Sequence, residues 1–356
     1  MQSVIIGKNQ AGQRLDKFLH KYLPLAGNGF LYKMLRKKNI TLNGKRAEGR
    51  EILAMEDEIR LFLSDETLAK FTGRIPSENS SEIREHSLTH GKGEKDGSLT
   101  EEYERAYAGL QGIRVLYEDE DCLILNKPCG LLTQKASPAD LTLNEWLIGY
   151  LLAHRQTDEK ELASFRPSVC NRLDRNTSGI VLCGKSLAGL QYLSGCIRER
   201  TVRKFYRTIC VGALREPAVI HGYLIKDSNK NRVYVSRHSL PAHHPDENFS
   251  PIHTAYRPIS ATEAYTLLEV ELITGKSHQI RAHLASTGHP LIGDYKYGRE
   301  SVNRLLKREY GLEHHLLHAC RIWFPKVTYG PGKKLSEQSI CAPAPELFQK
   351  LEDELL

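Results

Sequence analysis

Eight cysteines are spread over the 356 residues, but no two form a Cys-x-x-Cys pair and none follows zinc-ribbon spacing. Cys122, Cys129, Cys170, Cys183, Cys210 and Cys320 lie in or beside apolar segments, where reduced core thiols are found. No apolar run reaches the length of a membrane span, and residues 1–10 lack the pattern of a secretory signal. The expected setting is therefore cytoplasmic, with no membrane contact. The histidines offer no metal site either. His278, His283, His314, His315 and His318 do not follow the spacing of a zincin helix, and no carboxylate completes a set. No metal is expected, and no internal repeat is evident.

What is present begins with charge. The chain carries 50 Lys and Arg against 43 Asp and Glu, and the excess is uneven. Residues 1–63 hold 12 basic against 6 acidic side chains, residues 64–105 hold 6 against 10, and the remainder hold 32 against 27. Positive charge concentrated on a small N-terminal unit points to a polyanionic partner.

Three segments are expected. In the first, Leu15, Phe18, Leu19, Tyr22 and Leu23 recur at helical spacing, and Pro24, Gly27 and Gly29 end the run. A second helix is expected over residues 30–38, with Phe30, Leu31, Met34 and Leu35 facing inward. Lys33, Arg36, Lys37 and Lys38 are then free to meet phosphates. A strand at residues 40–42 enters an Asn43-Gly44 turn, and residues 57–62 form another strand. Residues 64–105 are rich in Glu, Ser, Gly, Lys and His, too polar to bury a core, and read as a flexible acidic linker with a short helix near 100–107. Residues 106–356 alternate strand patterns (115–117, 123–127, 179–183, 204–211, 267–273, 322–324) with helical ones (143–154, 187–199, 278–286). That mixture predicts an α+β catalytic domain around a mainly antiparallel sheet. Residues 228–258 read as a surface loop.

The richest stretch is Cys170-Asn-Arg-Leu-Asp-Arg-Asn-Thr-Ser-Gly-Ile-Val-Leu-Cys-Gly184. Asp174 stands between Arg172 and Arg175 in a polar turn before a buried strand. A carboxylate beside guanidiniums stays ionised, as a nucleophilic or charge-stabilising aspartate must. Taken alone, such a pattern more often marks a structural ion pair. Four further blocks accompany it: Asn126-Lys-Pro-Cys-Gly-Leu131; Arg203-Lys-Phe-Tyr-Arg207, whose basic and aromatic alternation suits a base-stacking platform; Leu272 to Leu284, continuing through Gly288-His-Pro-Leu-Ile-Gly-Asp294 to Tyr297-Gly298; and Leu317-His-Ala-Cys-Arg321.

In this order the five blocks resemble the RluA family of pseudouridine synthases, over nearly all of residues 112–345. The helix-helix-turn-strand order of residues 12–63, opening on Arg-Leu-Asp-Lys, resembles the S4 RNA-binding domain. The resemblance implies a catalytic fold with a mixed, mainly antiparallel sheet, flanking helices and a central cleft, preceded by a small S4-like α/β domain. It carries over the catalytic aspartate to Asp174, the base-stacking tyrosine to Tyr206 and the arginine that pairs with the aspartate to Arg281. Arg172 is implied to hold the flipped nucleotide, and Lys127, Lys276, His278 and Gln279 fall among the substrate contacts. The chain departs from the family at Asn171, where His is usual, and at Lys276-Ser277, where Arg-Thr is usual. Lys cannot make the bidentate fork of Arg.

The implied activity is isomerisation of uridine in large-subunit (23S) ribosomal RNA. It needs no cofactor, since nothing is oxidised and nothing leaves. The expected partner is ribosomal RNA or a pre-ribosomal particle, met by a monomer. The alternatives are a transfer-RNA pseudouridine synthase, or a non-catalytic RNA-binding ribosome-assembly factor. A DNA-binding regulator would need a recognition helix and a dimerisation segment, and neither is found.

Overall fold

A computed structural model describes residues 2–72, 100–227, 232–236 and 249–356. They form two compact units. One comprises Met1–Ala108, Glu145–Ser168 and Ser186–Ala188; the other comprises Gly109–Asn144, Val169–Lys185 and Gly189–Leu356. Among the described residues no helix is long and apolar enough to cross a membrane.

The first unit opens with β1 (Gln2–Ile5), which the sequence pattern did not reveal. Helices α1 (Leu15–Tyr22) and α2 (Asn28–Arg36) follow, then β2 (Ile40–Leu42), β3 (Lys45–Arg46) and β4 (Glu58–Leu61). The four strands form one antiparallel sheet in the order β1-β4-β2-β3. Asn43 and Gly44 both take positive φ, as the tight turn between β2 and β3 requires. Leu15, Phe18 and Leu19 of α1 and Leu31, Met34 and Leu35 of α2 pack with Ile40, Ile59 and Leu61 into one core. That stripe of apolar residues three and four apart holds both helices on the sheet. Lys33, Arg36, Lys37 and Lys38 are exposed, as their spacing predicts.

The acidic segment does not begin where composition put it. Residues 65–72 form α3 (Asp65–Thr72) and bury Leu68 in the same core, while Phe71 packs on Phe30 with ring centroids 4.3 Å apart. Two apolar residues at helical spacing are enough to anchor a segment whose average polarity suggests disorder. The rest of the expected linker up to residue 99 lies outside the described residues, and α4 (Glu101–Gly109) matches the short helix expected there. Residues 145–168 belong to this unit, although the catalytic domain was expected to hold them. Their membership has a physical basis in Tyr103, Ile148 and Leu162, which share a buried cluster, and in Tyr107, whose ring meets Trp146 at 5.6 Å.

In chain order the remaining elements are β5 (Arg114–Glu118), β6 (Cys122–Lys127), α5 (Leu143–Ala153), α6 (Glu159–Leu162), β7 (Ser168–Val169), β8 (Ser178–Gly184), α7 (Leu187–Glu199) and β9 (Arg203–Val211). Next come β10 (Ala218–Asp227), β11 (Arg232–Ser236), β12 (Phe249–Ala261), β13 (Tyr265–Leu272), α8 (Gln279–Ser286), α9 (Glu300–Tyr310), β14 (Leu317–Trp323), β15 (Ser339–Cys341) and α10 (Glu346–Leu355). The second unit is built on one sheet in the order β11-β10-β12-β13-β9-β14-β8-β6-β5, with β15 beside β14 and β7 beside β8. The pairings along that order, and that of β14 with β15, are antiparallel except that of β8 with β14.

Residues 228–258 are not simply a loop. β11 and the start of β12 fall inside that range and pair with β10, while residues 228–231 and 237–248 lie outside the described residues. β12 has intermediate residues on both faces, so no apolar alternation marked it as a strand.

The parallel pairing fixes the point where the polar turn enters the sheet, because Gly179 lies opposite Ala319. Gly179 has φ +111°, and a Cβ there would fall 2.2 Å from the Ala319 carbonyl oxygen. Gly179→Ala is expected to cost about 2 kcal/mol through backbone strain and overpacking. Thermal unfolding should register this as a fall in midpoint of roughly 4–8 °C.

Candidate active site

The turn 171–177 precedes β8 and hangs from side chains below it. Thr133 Oγ1 donates to the Leu173 carbonyl at 2.9 Å and accepts from the Leu173 amide at 3.1 Å. Lys127 Nζ donates to the Arg175 carbonyl at 3.0 Å, Cys129 Sγ to the Asn176 carbonyl at 3.0 Å, and Thr177 Oγ1 meets His315 Nε2 at 2.9 Å. Four pieces of the turn thus have a fixed partner outside it, which orients the side chain of Asp174.

Asp174 does not pair with its neighbours in sequence. Arg172 and Arg175 are exposed, and the guanidinium that reaches its carboxylate is Arg281 Nη1, 3.0 Å from Oδ2. Arg281 belongs to α8 and its side chain is only 9% exposed. Its other edge is held by Asp294, with Nε to Oδ2 at 2.7 Å and Nη2 to Oδ1 at 3.0 Å. Asp294 Oδ1 also accepts from the amides of Lys296 and Tyr297, at 2.9 and 3.1 Å. Burial alone would raise the pKa of Asp294, but the hydrogen bonds and charge of Arg281 bring it below the usual carboxylate value. One guanidinium therefore bridges two carboxylates, one buried and one 27% exposed at the cleft. The Tyr297 ring lies under it, 5.3 Å away.

His315 completes the floor. Burial and then the positive charge of Arg281 push its pKa down to about 3, so its ring is neutral at physiological pH. His278 adopts a left-handed conformation (φ 55°) just before α8; its Nδ1 meets the Tyr297 hydroxyl at 3.0 Å and its Nε2 lies 3.8 Å from Asp174 Oδ2. Tyr206 comes from the middle of β9, between Ala319 of β14 and Val270 of β13, and is 6% exposed. Burial, reinforced by the charge of Asp174, raises its phenol pKa, so the hydroxyl stays neutral.

Asp174, Tyr206, His278, Arg281 and His315 line a cleft of about 1030 Å³ within the second unit. Arg172, Arg175, Arg198, Arg200, Lys204 and Lys276 line it as well, and Asp174 is the one carboxylate among the described lining residues. Low-dielectric walls carrying one sign of charge focus the field on an anionic ligand.

Of the residues singled out in the sequence, Asp174, Tyr206, Arg281, Arg172, Lys276, His278 and Gln279 line this cleft. Lys127 requires correction. Lys127 is fully buried, and its ammonium spends its three protons on the carbonyls of Pro128, Leu131 and Arg175. Burial lowers its pKa to about 8. It holds the turn and is closed to substrate. Gln279, 2% exposed, accepts from Thr274 Oγ1 and the Lys276 amide and donates to the His253 carbonyl and Thr254 Oγ1. Its four hydrogen bonds tie the 274–277 turn to β12. Asn171 likewise brackets β8, donating to the Ile180 carbonyl at 3.3 Å and accepting from the Leu182 amide at 2.8 Å.

Asp294, His315, Tyr297 and Lys204 were not identified from sequence as site residues. Asp294 and Tyr297 lay inside one of the five motif blocks, and Lys204 stood two residues from Tyr206. Only three-dimensional pairing distinguishes them from their neighbours. Among the described residues no group of three or more His, Cys, Asp or Glu side chains converges as a metal set.

Comparisons with known proteins place the chain among RNA pseudouridine synthases. The family model for RNA pseudouridylate synthase matches residues 121–286, which include Asp174, Tyr206 and Arg281. Ribosomal large subunit pseudouridine synthase C of Rickettsia bellii is 30% identical over 98% of this chain and 100% of its own length. The protein of the same name from Vibrio parahaemolyticus is 29% identical over 91% of this chain and 88% of its own. The solved structure of human RNA Pseudouridylate Synthase Domain Containing 4 superposes with a TM-score of 0.52 at 23% identity, covering 70% of this chain and 95% of that one, a likeness of fold. With a relative 30% identical and aligned from end to end, the chain belongs to the RNA pseudouridylate synthase family.

Proposed function

We propose that this protein converts uridine to pseudouridine in large-subunit ribosomal RNA, with Asp174 as the essential group. The observation that carries the reading is a carboxylate at the bottom of a cation-lined cleft, bonded to a buried guanidinium, with a tyrosine in the same lining. Large-subunit RNA is the target because relatives aligned over nine tenths of the chain bear that name. The reading takes the protein to act in the cytosol as a monomer, on ribosomal RNA or a pre-ribosomal particle.

The reaction breaks the N1–C1′ bond of a uridine, turns the uracil and joins C1′ to C5; the C5 proton is released and the freed N1 takes up a proton, so the product is an isomer of the substrate. The reacting atoms are inaccessible in a base stack, so the nucleotide is flipped into the cleft at a cost of a few kcal/mol. Stacking on Tyr206 recovers about 1–3 kcal/mol of that. Asp174 then meets the nucleotide. Attack at uracil C6, attack at C1′ and removal of a sugar proton all require this carboxylate in contact with the substrate. Arg281 supplies its countercharge, and Asp294 fixes the direction of that guanidinium. The neutral phenol of Tyr206 and the neutral ring of His315 add no charge to the floor. Arg172, Arg175 and Lys276 meet phosphates, and His278 borders the nucleotide.

The N-terminal sheet with α1 and α2 is read as an S4-like RNA-binding domain presenting Lys33, Arg36, Lys37 and Lys38. A purely binding role loses the feature that favoured it, because Asn171 spends its side chain on β8.

Two outcomes are expected. Asp174→Asn abolishes tritium release from RNA carrying C5-tritiated uridine while leaving RNA affinity within about threefold, since the charge removed does not meet a phosphate. Normal turnover in that variant would remove Asp174 from the chemistry. Replacing Lys33, Arg36, Lys37 and Lys38 by Gln should make log K against log salt shallower by about 0.7–0.9 for each phosphate no longer neutralised. An unchanged slope in filter binding would take the N-terminal unit out of the RNA interface.

A further inference from the structure

Among the described cations of the cleft wall, Arg198 and Arg281 are ion-paired, whereas Lys204, Arg172, Arg175, Arg200 and Lys276 form no ion pair, and of these Lys204 is the one on a strand of the sheet. Lys204 stands two residues before Tyr206 on β9, and the alternation of a strand puts both on the same face. Its side chain lines the cleft and is half-buried. Burial, and then the charge of Arg200, lowers its pKa. The opposite face of the same strand differs: Arg203 is bonded to Glu271 at 2.8 Å and Arg207 to Glu352 at 2.5 Å. The sheet neutralises the cations it turns away from the cleft and leaves this one bare.

The turn residue that faces its ammonium carries no side chain. A Cβ built on Gly275 would lie 3.5 Å from Lys204 Nζ and within 4 Å of no other heavy atom beyond its chain neighbours. Lys276 follows, exposed, its amide fixed by Gln279 at 3.1 Å. Arg200 projects from the residue after α7 and lines the same wall. A half-buried ammonium, a turn without a side chain and two further cations form a receptacle for a singly charged oxyanion.

We propose that Lys204, with the Gly275–Lys276 turn, binds a phosphodiester of the substrate RNA next to the nucleotide that stacks on Tyr206. Two residues along a strand span about 7 Å, which sets the phosphate one sugar away from the stacked base. A compact ammonium serves as a point charge for such an oxygen. The site rests on the reading that RNA enters this cleft.

The test is equilibrium binding of the wild-type chain, K204M, K204R and G275A to transcribed large-subunit ribosomal RNA over a range of KCl, with tritium release measured separately. K204M is expected to weaken binding about tenfold, as removal of a single charge-assisted hydrogen bond does. Its log K against log salt should become shallower by about 0.7–0.9. K204R should keep the wild-type slope. G275A, whose methyl group fills the space before the ammonium, should weaken binding although its charge is unchanged. K204M with wild-type affinity and slope would overturn the site, and so would a loss of affinity at unchanged slope, the mark of structural damage. A wild-type chain that binds the RNA but releases no tritium would overturn the proposed reaction, while the slopes would still decide for or against the phosphate site.

Discussion

The second unit depends on one guanidinium shared between two carboxylates. Arg281 is nearly inaccessible, and an unpaired charge at that depth would cost several kcal/mol. Asp294 meets this cost with two short bonds along one edge of the group, leaving Nη1 for Asp174. The two acids differ in role because they differ in exposure. Asp294 is sealed, saturated by Arg281 and two backbone amides, and cannot reach a ligand. Asp174 keeps one bond to the arginine and an open side toward the cleft. An arginine held by a second acid has fewer orientations to lose when substrate arrives, which is how a fixed electrostatic environment lowers a barrier.

The turn that carries Asp174 has the same logic in its backbone. A polar turn between strands would ordinarily bond to water. Here Thr133, Lys127, Cys129 and His315 bond to it from beneath. Most of these bonds go to main-chain atoms, so the conformation of the turn is fixed whatever side chains it displays. Lys127 illustrates the economy of the arrangement: its three protons meet three carbonyls, so its full burial leaves no donor unsatisfied.

Much of this was legible in the sequence. The pairing of Arg-Leu-Asp-x-x-Thr-Ser-Gly with Thr-Gly-x-x-His-Gln-Ile-Arg pointed to Asp174 and Arg281, and the helices over 143–153, 187–199 and 279–286 followed their apolar spacing. What failed was direction. Lys127 belongs to an expected motif, yet a motif does not say whether a long polar side chain turns toward solvent or toward carbonyls. Alternation misled in the same way at residues 203–207, where the cleft receives Lys204 and Tyr206 while Arg203 and Arg207 bond on the other face. The strands β10 to β12 were hidden because they are half-buried along their length and lack a clean apolar rhythm. α3 was hidden because two apolar side chains, Leu68 and Phe71, were outweighed by the polar composition around them. Asp294 was in plain view, and nothing local distinguished it from any acidic residue after a glycine.

If Asp294 acts only by aiming Arg281, its contribution must vanish once the arginine is gone. The direct measurement is a double-mutant cycle on kcat with Asp294→Asn and Arg281→Met. The account predicts that Asp294→Asn lowers kcat by about tenfold or more in the wild-type background and leaves it unchanged in the Arg281→Met background. An equal loss in both backgrounds would contradict it, because Asp294 would then act independently of the guanidinium.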